Sequence, residues 1–136
     1  MKFREAILSD LEFVADHTIS RGCFNELPNV IDHVYALEHE GVVLGIGGLK
    51  ILNPHTAWCW MDWTEYSKGH IYTGYRIVSE WLDIAIKEFG LTRIMAAIEP
   101  DFNTAIRTVE HLGFHLESEM PGFFGEKPGL LYVRMN

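Results

Sequence analysis

The run WCWMDW, residues 58–63, sets a single carboxylate, Asp62, among bulky aromatics. Such residues suit a half-buried pleated strand better than a short helix, and alternation along a strand then puts Asp62 on the face of Trp58 and Trp60. A carboxylate among indoles is desolvated, which favours its use as a proton acceptor; the same residue also reads as a satisfied acid near a strand end. Aromatics continue through Trp63, Tyr66, Tyr72 and Tyr75, a set that can shape a substrate or partner site, plug a groove, or pack in a core. The seven histidines are scattered, with no HExxH and no close His/Cys/Asp set, so no metal site is expected. Cys23 and Cys59 lie in unrelated segments without CxxC spacing, which points to reduced thiols rather than a disulfide framework or a zinc ribbon.

The elements that would position these groups follow from periodicity. Lys2 to Ile7 reads as a short strand, and Ser9 to Glu12 has the S-x-x-E form of a capping box, with Leu8 and Phe13 as its staple. Apolar residues then recur at helical spacing, so a helix from about Asp10 to Arg21 is expected, stopped by Gly22. Phe24 to His33, broken by Pro28 and Asn29, reads as loop or a short second helix. Val34 to His39 and Val42 to Ile51, joined by Glu40 and Gly41, form a predicted hairpin. Trp58 to Trp63 is the next strand. Ile71 to Phe89 carries the longest amphipathic pattern, with Ile71, Tyr75, Val78, Leu82, Ala85 and Phe89 on one face. Thr92 to Ile98 reads as a buried strand and Asn103 to Leu112 as a helix with Ala105, Ile106, Val109 and Leu112 inward. Phe114 to Met120 and Leu130 to Met135 close the chain as strands around a glycine- and proline-rich loop.

This order predicts an α/β fold, with a single mixed central sheet flanked by helices, parallel where the two later helices cross over. A length of 136 residues suits one domain spanning 1–136, and 48% apolar with 22% charged residues is a globular composition. The start MKFREAILSD has no apolar stretch behind a basic one, and Val42 to Leu49 is too short to span a bilayer. A soluble, cytoplasmic protein with no membrane partner is therefore expected. A net charge of −8 repels a phosphate backbone, which argues against nucleic acid as a partner. The same charge suits a cationic partner such as an amine or a basic peptide.

The segment GLTRIMAAIEPDFNTAIRTVEHLGFHLESE resembles the second half of a GNAT acetyltransferase: a helix ending in Phe89 and Gly90, a strand, Asn103, a helix with Ala105, Ile106 and Arg107, then Leu112, Gly113 and Phe114. It is most similar to the branch that acetylates ribosomal-protein N-termini. The resemblance implies the acyl-CoA N-acyltransferase fold, acetyl-CoA as co-substrate, and transfer to a primary amine on a small molecule or protein. It leaves room for a homodimer. By the same resemblance, strands 58–63 and 92–98 would splay apart, with the backbone at Met61 and Trp63 pairing with the pantetheine arm. Asp62, Glu65 and Glu99 become the candidates for the base that keeps the amine neutral. The pyrophosphate would rest on the turn leading into the long helix.

That turn departs from the family's Q/R-x-x-G-x-G/A pattern. It reads Tyr66, Ser67, Lys68, Gly69, His70, Ile71, Tyr72, Thr73, Gly74, with Gly69 and Gly74 too far apart for G-x-G. Lys68, Gly69, His70, Thr73, Gly74 and Arg76 are the phosphate candidates, the cations substituting for lost amide contacts. Asn103 would lie near the cofactor arm, or act as an ordinary N-cap, and Arg107 would approach phosphate or solvent. Val109 occupies the position of the tyrosine that serves many members as acid. A looser resemblance, to GNAT-like internal virion proteins of tailed phages, implies an alternative: a catalytically silent protein with a structural or binding role, in the host cytoplasm or the virion. A third reading is a module that holds a CoA-like or nucleotide ligand without chemistry.

Overall fold

A computed structural model describes residues 1–19 and 32–136. The elements are β1 (Lys2–Glu5), α1 (Leu8–His17), β2 (Asp32–His39), β3 (Val42–Asn53), β4 (Thr56–Trp63), a 3-10 turn (Glu65–Ser67), α2 (Ile71–Phe89), β5 (Arg93–Ile98), α3 (Asn103–His111), β6 (His115–Phe124) and β7 (Lys127–Met135). The seven strands form one mixed sheet in the order β1-β2-β3-β4-β5-β7-β6. The described residues divide into two compact units, Met1–Ile51 with Cys59–Ile77, and Leu52–Trp58 with Val78–Asn136.

In the first unit β1 pairs antiparallel with β2, and β2 with β3. Glu40 and Gly41 turn the hairpin with φ of 51° and 80°, the positive pair that a two-residue hairpin loop with matching twist requires. Val14 of α1 is buried with Ala36, Val43 and Ile46, and Leu11, Phe13 and Trp60 pack around them. The start of α1 differs from the sequence expectation. The helix begins at Leu8, and the carboxylate of Asp10, rather than a Ser9 to Glu12 box, accepts the Ile7 amide at 2.8 Å. Leu8 is exposed and staples nothing. The reason is tertiary: Asp10 is buried and held by Arg4 through two hydrogen bonds of 2.7 and 2.9 Å, while Arg4 Nε donates to Glu38 at 2.8 Å. A charge-assisted, two-pronged pair outweighs a local cap. The helix also stops at His17 instead of continuing towards Arg21, because Thr18 turns extended (φ −64°, ψ 140°) and bridges to Thr64. Arg21, Gly22 and nearly all of the expected loop or helix at Phe24 to His33 lie outside the described residues; β2 begins at Asp32.

In the second unit β4 and β5 run parallel through three pairs, Thr56 to Trp58 against Arg93 to Met95. β5 pairs along its whole length with β7, and β7 with β6, both antiparallel, so the crossover through α3 leads to the edge strand β6 and not to the expected parallel neighbour of β5, because β7 takes that place. Leu82, Ala85 and Ile86 of α2, Val109 and Leu112 at α3, and Ile94, Ile98 and Phe114 are all buried, as the helical and strand periodicities require. Arg134 ties this unit together, bonding Asp83 on α2 at 2.6 Å and the Leu112 carbonyl at 3.1 Å, one of the carbonyls a helix end leaves without an internal partner. The expected loop between the last strands is instead mostly strand. β6 continues through Pro121 to Phe124 with a register shift after Met120, and the turn shrinks to Gly125 and Glu126. The Phe123 ring lies over Gly129, where a Cβ would come within 2.9 Å of it. Glycine in a strand here marks a seat for a ring.

Candidate active site

The end of β4 is the chemical focus of the first unit. Trp60 packs with the α1 cluster, and Asp62, two residues on, faces the same side by strand alternation. There its carboxylate accepts a hydrogen bond from the Thr18 hydroxyl. The strand-like segment after α1 is held against β4 by the Ile19 amide, which donates to the Trp63 carbonyl at 2.9 Å. Asp62 is half-buried, so it has lost part of its hydration while one oxygen is fixed by a donor.

Trp63 faces the other way. Its indole is wedged between Gly45 of β3 and Gly74 of α2; a Cβ added at either glycine would lie 2.8 Å from the ring. Tyr75 meets the indole edge-on, with ring centroids 6.1 Å apart. Gly74 therefore makes room for an indole. This close approach locks the first turn of α2 onto the end of β4.

Between them the chain is stapled residue by residue. The buried Thr64 donates its amide to the Leu44 carbonyl at 2.9 Å, and its hydroxyl lies 2.9 Å from the Val43 carbonyl. The Ser67 amide and hydroxyl both donate to the Thr64 carbonyl, His70 N–H donates to the Ser67 carbonyl, and Gly74 N–H donates to the His70 carbonyl. The amides of Ile71, Tyr72 and Thr73 precede the first intrahelical bond and so have no partner carbonyl within the helix. Gly69 sits at φ +88° with open space where a Cβ would be, a left-handed conformation that favours glycine. Tyr72 is 77% exposed, and Thr73 is also exposed, so neither side chain is packed over the turn. Lys68 and Arg76 are exposed and form no ion pair among the described residues. The His70 ring packs at a tilt of 50° against that of His39 at the end of β2, with centroids 4.7 Å apart. Glu65 is exposed and lies 3.6 Å from His17 Nδ1, in a cluster where Phe13, His17 and Tyr66 are in mutual ring contact.

Comparison with protein-family models and with curated proteins gave no match. Comparison of the structure did. A spermidine N-acetyltransferase variant from Vibrio cholerae superposes with a TM-score of 0.81 at 14% identity, over 99% of this chain and 95% of that one. The ribosomal-protein-S18-alanine N-acetyltransferase from Escherichia coli gives 0.78 at 11% identity, over 98% and 92%. The ribosomal-protein-S5-alanine acetyltransferase from Vibrio fischeri gives 0.67 at 19%, over 78% and 62%. The chain has the GNAT fold.

Within this GNAT fold the candidate residues fall into two groups. Met61, Asp62, Trp63, Glu65, Lys68, Gly69, His70, Thr73, Gly74 and Arg76 belong to the first unit; Glu99, Asn103 and Arg107 belong to the second. Glu99 is half-buried beside Lys127 (3.6 Å), which also reaches Asp101 at 3.3 Å. Asn103 is the first helical residue of α3 and Phe102 takes the N-cap position, so the capping expectation for Asn103 does not hold. Arg107 is exposed. Val109 is buried as a core residue. Tyr132 is buried on β7 opposite Ala96 of β5, and this burial, with Glu110 adding, pushes its phenol up from its ordinary value.

Thr18 and Gly45 escaped the sequence reading. A threonine at the end of an amphipathic helix carries no signal of its distant partner. Gly45 did carry one: glycines at 45, 47 and 48 within a strand mark close backbone or ring approach. Among the described residues, no group of three or more His, Cys, Asp or Glu could hold a metal ion, and no helix is long and apolar enough to cross a membrane.

Proposed function

We propose that this chain is an acetyl-CoA-dependent N-acetyltransferase acting on a primary amine, with Asp62 as general base. The observation that carries the reading is the junction from β4 to α2. There a half-buried carboxylate, held on one side by a hydroxyl, precedes a turn that leads into the first amides of α2, with Lys68 and Arg76 forming no ion pair among the described residues.

The turn fits the diphosphate of acetyl-CoA although the family's glycines are missing. The Ile71, Tyr72 and Thr73 amides and the positive end of the α2 dipole favour an anion. Lys68 and Arg76 add full charges, and Gly69 allows close approach of the backbone. When bound, acetyl-CoA supplies a thioester carbon open to attack by an amine. The task left to the chain is to deliver that amine neutral: Asp62 accepts a proton from the ammonium, directly or through a water. Its first oxygen is occupied by Thr18, so the second is the acceptor. The acidic surface, net charge −8, draws cationic acceptors to the site.

The test is transfer itself. With acetyl-CoA and a panel comprising a polyamine, a lysine peptide and a peptide with a free N-terminus, thiol release is expected to depend on at least one amine. Release no faster than in buffer with every amine would leave the catalytically silent reading instead.

A further inference from the structure

We propose that Thr18 is a positioning residue for the transfer reaction: its hydroxyl orients the Asp62 carboxylate so that one oxygen faces the amine. This rests on the reading of Asp62 as the base.

The argument starts from the backbone. A helix that simply ran out would leave Thr18 in solvent. Here residue 18 turns extended, forms an antiparallel bridge to Thr64, and is followed by a hydrogen bond from the Ile19 amide to the Trp63 carbonyl. Two backbone connections, to Trp63 and Thr64 directly after Asp62, therefore fix where the Thr18 side chain begins. Threonine is branched at Cβ and stiff at χ1, so the hydroxyl is delivered to one place, and in that place it bonds Asp62 Oδ1. An aspartate χ2 torsion is otherwise broad and roughly two-fold. A single donor on one oxygen removes that freedom and leaves the other oxygen as the free acceptor. Serine supplies the same donor; valine keeps the shape and removes it.

The experiment compares wild type, Thr18→Val, Thr18→Ser, Asp62→Asn and the double variant Thr18→Val/Asp62→Asn, measuring kcat, KM for acetyl-CoA and Tm for each. Thr18→Val is expected to lower kcat by about 10- to 100-fold, the range for a lost hydrogen bond to a charged group. Its KM for acetyl-CoA should stay within about twofold, since binding that is equal in ground and transition states is untouched. Thr18→Ser is expected to recover most of the rate. The double variant should be no slower than Asp62→Asn alone, because two residues acting through one step are not additive. The proposal is overturned if Thr18→Val keeps the wild-type kcat, if serine fails to restore it, or if the two losses multiply. A wild-type rate unaffected by Asp62→Asn would instead remove the base assignment, and with it this inference, while leaving the acetyltransferase reading intact. Absence of transfer by wild type would remove all three.

Discussion

Asp62→Asn is expected to lower kcat at neutral pH by about two to four orders of magnitude, the usual contribution of a positioned general base. The variant keeps the shape of the side chain and an oxygen for the Thr18 hydroxyl, so Tm should change little. What it loses is the capacity to take a proton from an ammonium. That loss has a pH signature. A lysine-type amine titrates near about 10.4 and a peptide N-terminus near about 8, and once the amine is neutral in solution no base is needed. The deficit of Asp62→Asn should therefore shrink as pH approaches the titration of whichever amine is used, earlier for a peptide N-terminus than for lysine. A variant that is equally slow at every pH would mean that Asp62 serves the architecture instead. A variant at wild-type speed would shift attention to Glu65 or Glu99. Neither is as well placed: Glu65 is exposed, and Glu99 sits against Lys127.

The sequence was most informative where local periodicity and tertiary environment agree. α2 runs from Ile71 to Phe89 as its amphipathic pattern requires, and Gly90, at φ +65°, follows its end. The order of strands and helices also follows from the pattern, as does the parallel neighbour made by the α2 crossover. It was least informative where a distant partner decides. Asp10 caps α1 because Arg4 arrives from β1. Thr18 ends α1 because Thr64, just past β4, offers it a bridge and Asp62 offers it a carboxylate. Pro121 to Phe124 read as loop because proline and glycine break local propensity, yet the Phe123 ring on Gly129 keeps the segment extended. At the site, the glycine-poor turn was legible as a departure from the family's pattern. The use of Gly74 as a seat for Trp63 was not, since a residue 11 positions away, brought close only by folding, sets it.

Acid sensitivity is expected to follow the Arg4 ion pairs. The Arg4 guanidinium, hydrogen-bonded to the buried Asp10 carboxylate, holds that carboxyl below its ordinary range, and the Ile7 amide acts in the same direction against the cost of burial. A folded-state value below the unfolded one means that the stabilisation is complete above the unfolded value, about 3.9 for aspartate. It is lost as pH falls through the lower, folded value. Asp10→Ala, which leaves Arg4 with only Glu38 and removes the cap on the Ile7 amide, is expected to cost about 3 kcal/mol at pH 7. The gap between wild type and variant in urea unfolding should be widest near neutrality and close progressively below about pH 4. A gap that is constant from pH 7 to pH 2.5 would show that packing, and not the charge pair, stabilises this corner.

The turn from Ser67 to Gly74 is expected to bind the diphosphate of acetyl-CoA without the glycines of the Q/R-x-x-G-x-G/A pattern. Calorimetric titration of acetyl-CoA into the wild-type protein and into Lys68→Ala/Arg76→Ala tests it most directly. Saturable one-to-one binding by wild type is expected, weakened at least about tenfold when both cations are removed, as loss of charge-assisted contacts to phosphate implies. No heat of binding and no gain in Tm at millimolar acetyl-CoA, where a ligand selective for the folded state must stabilise it, would contradict it.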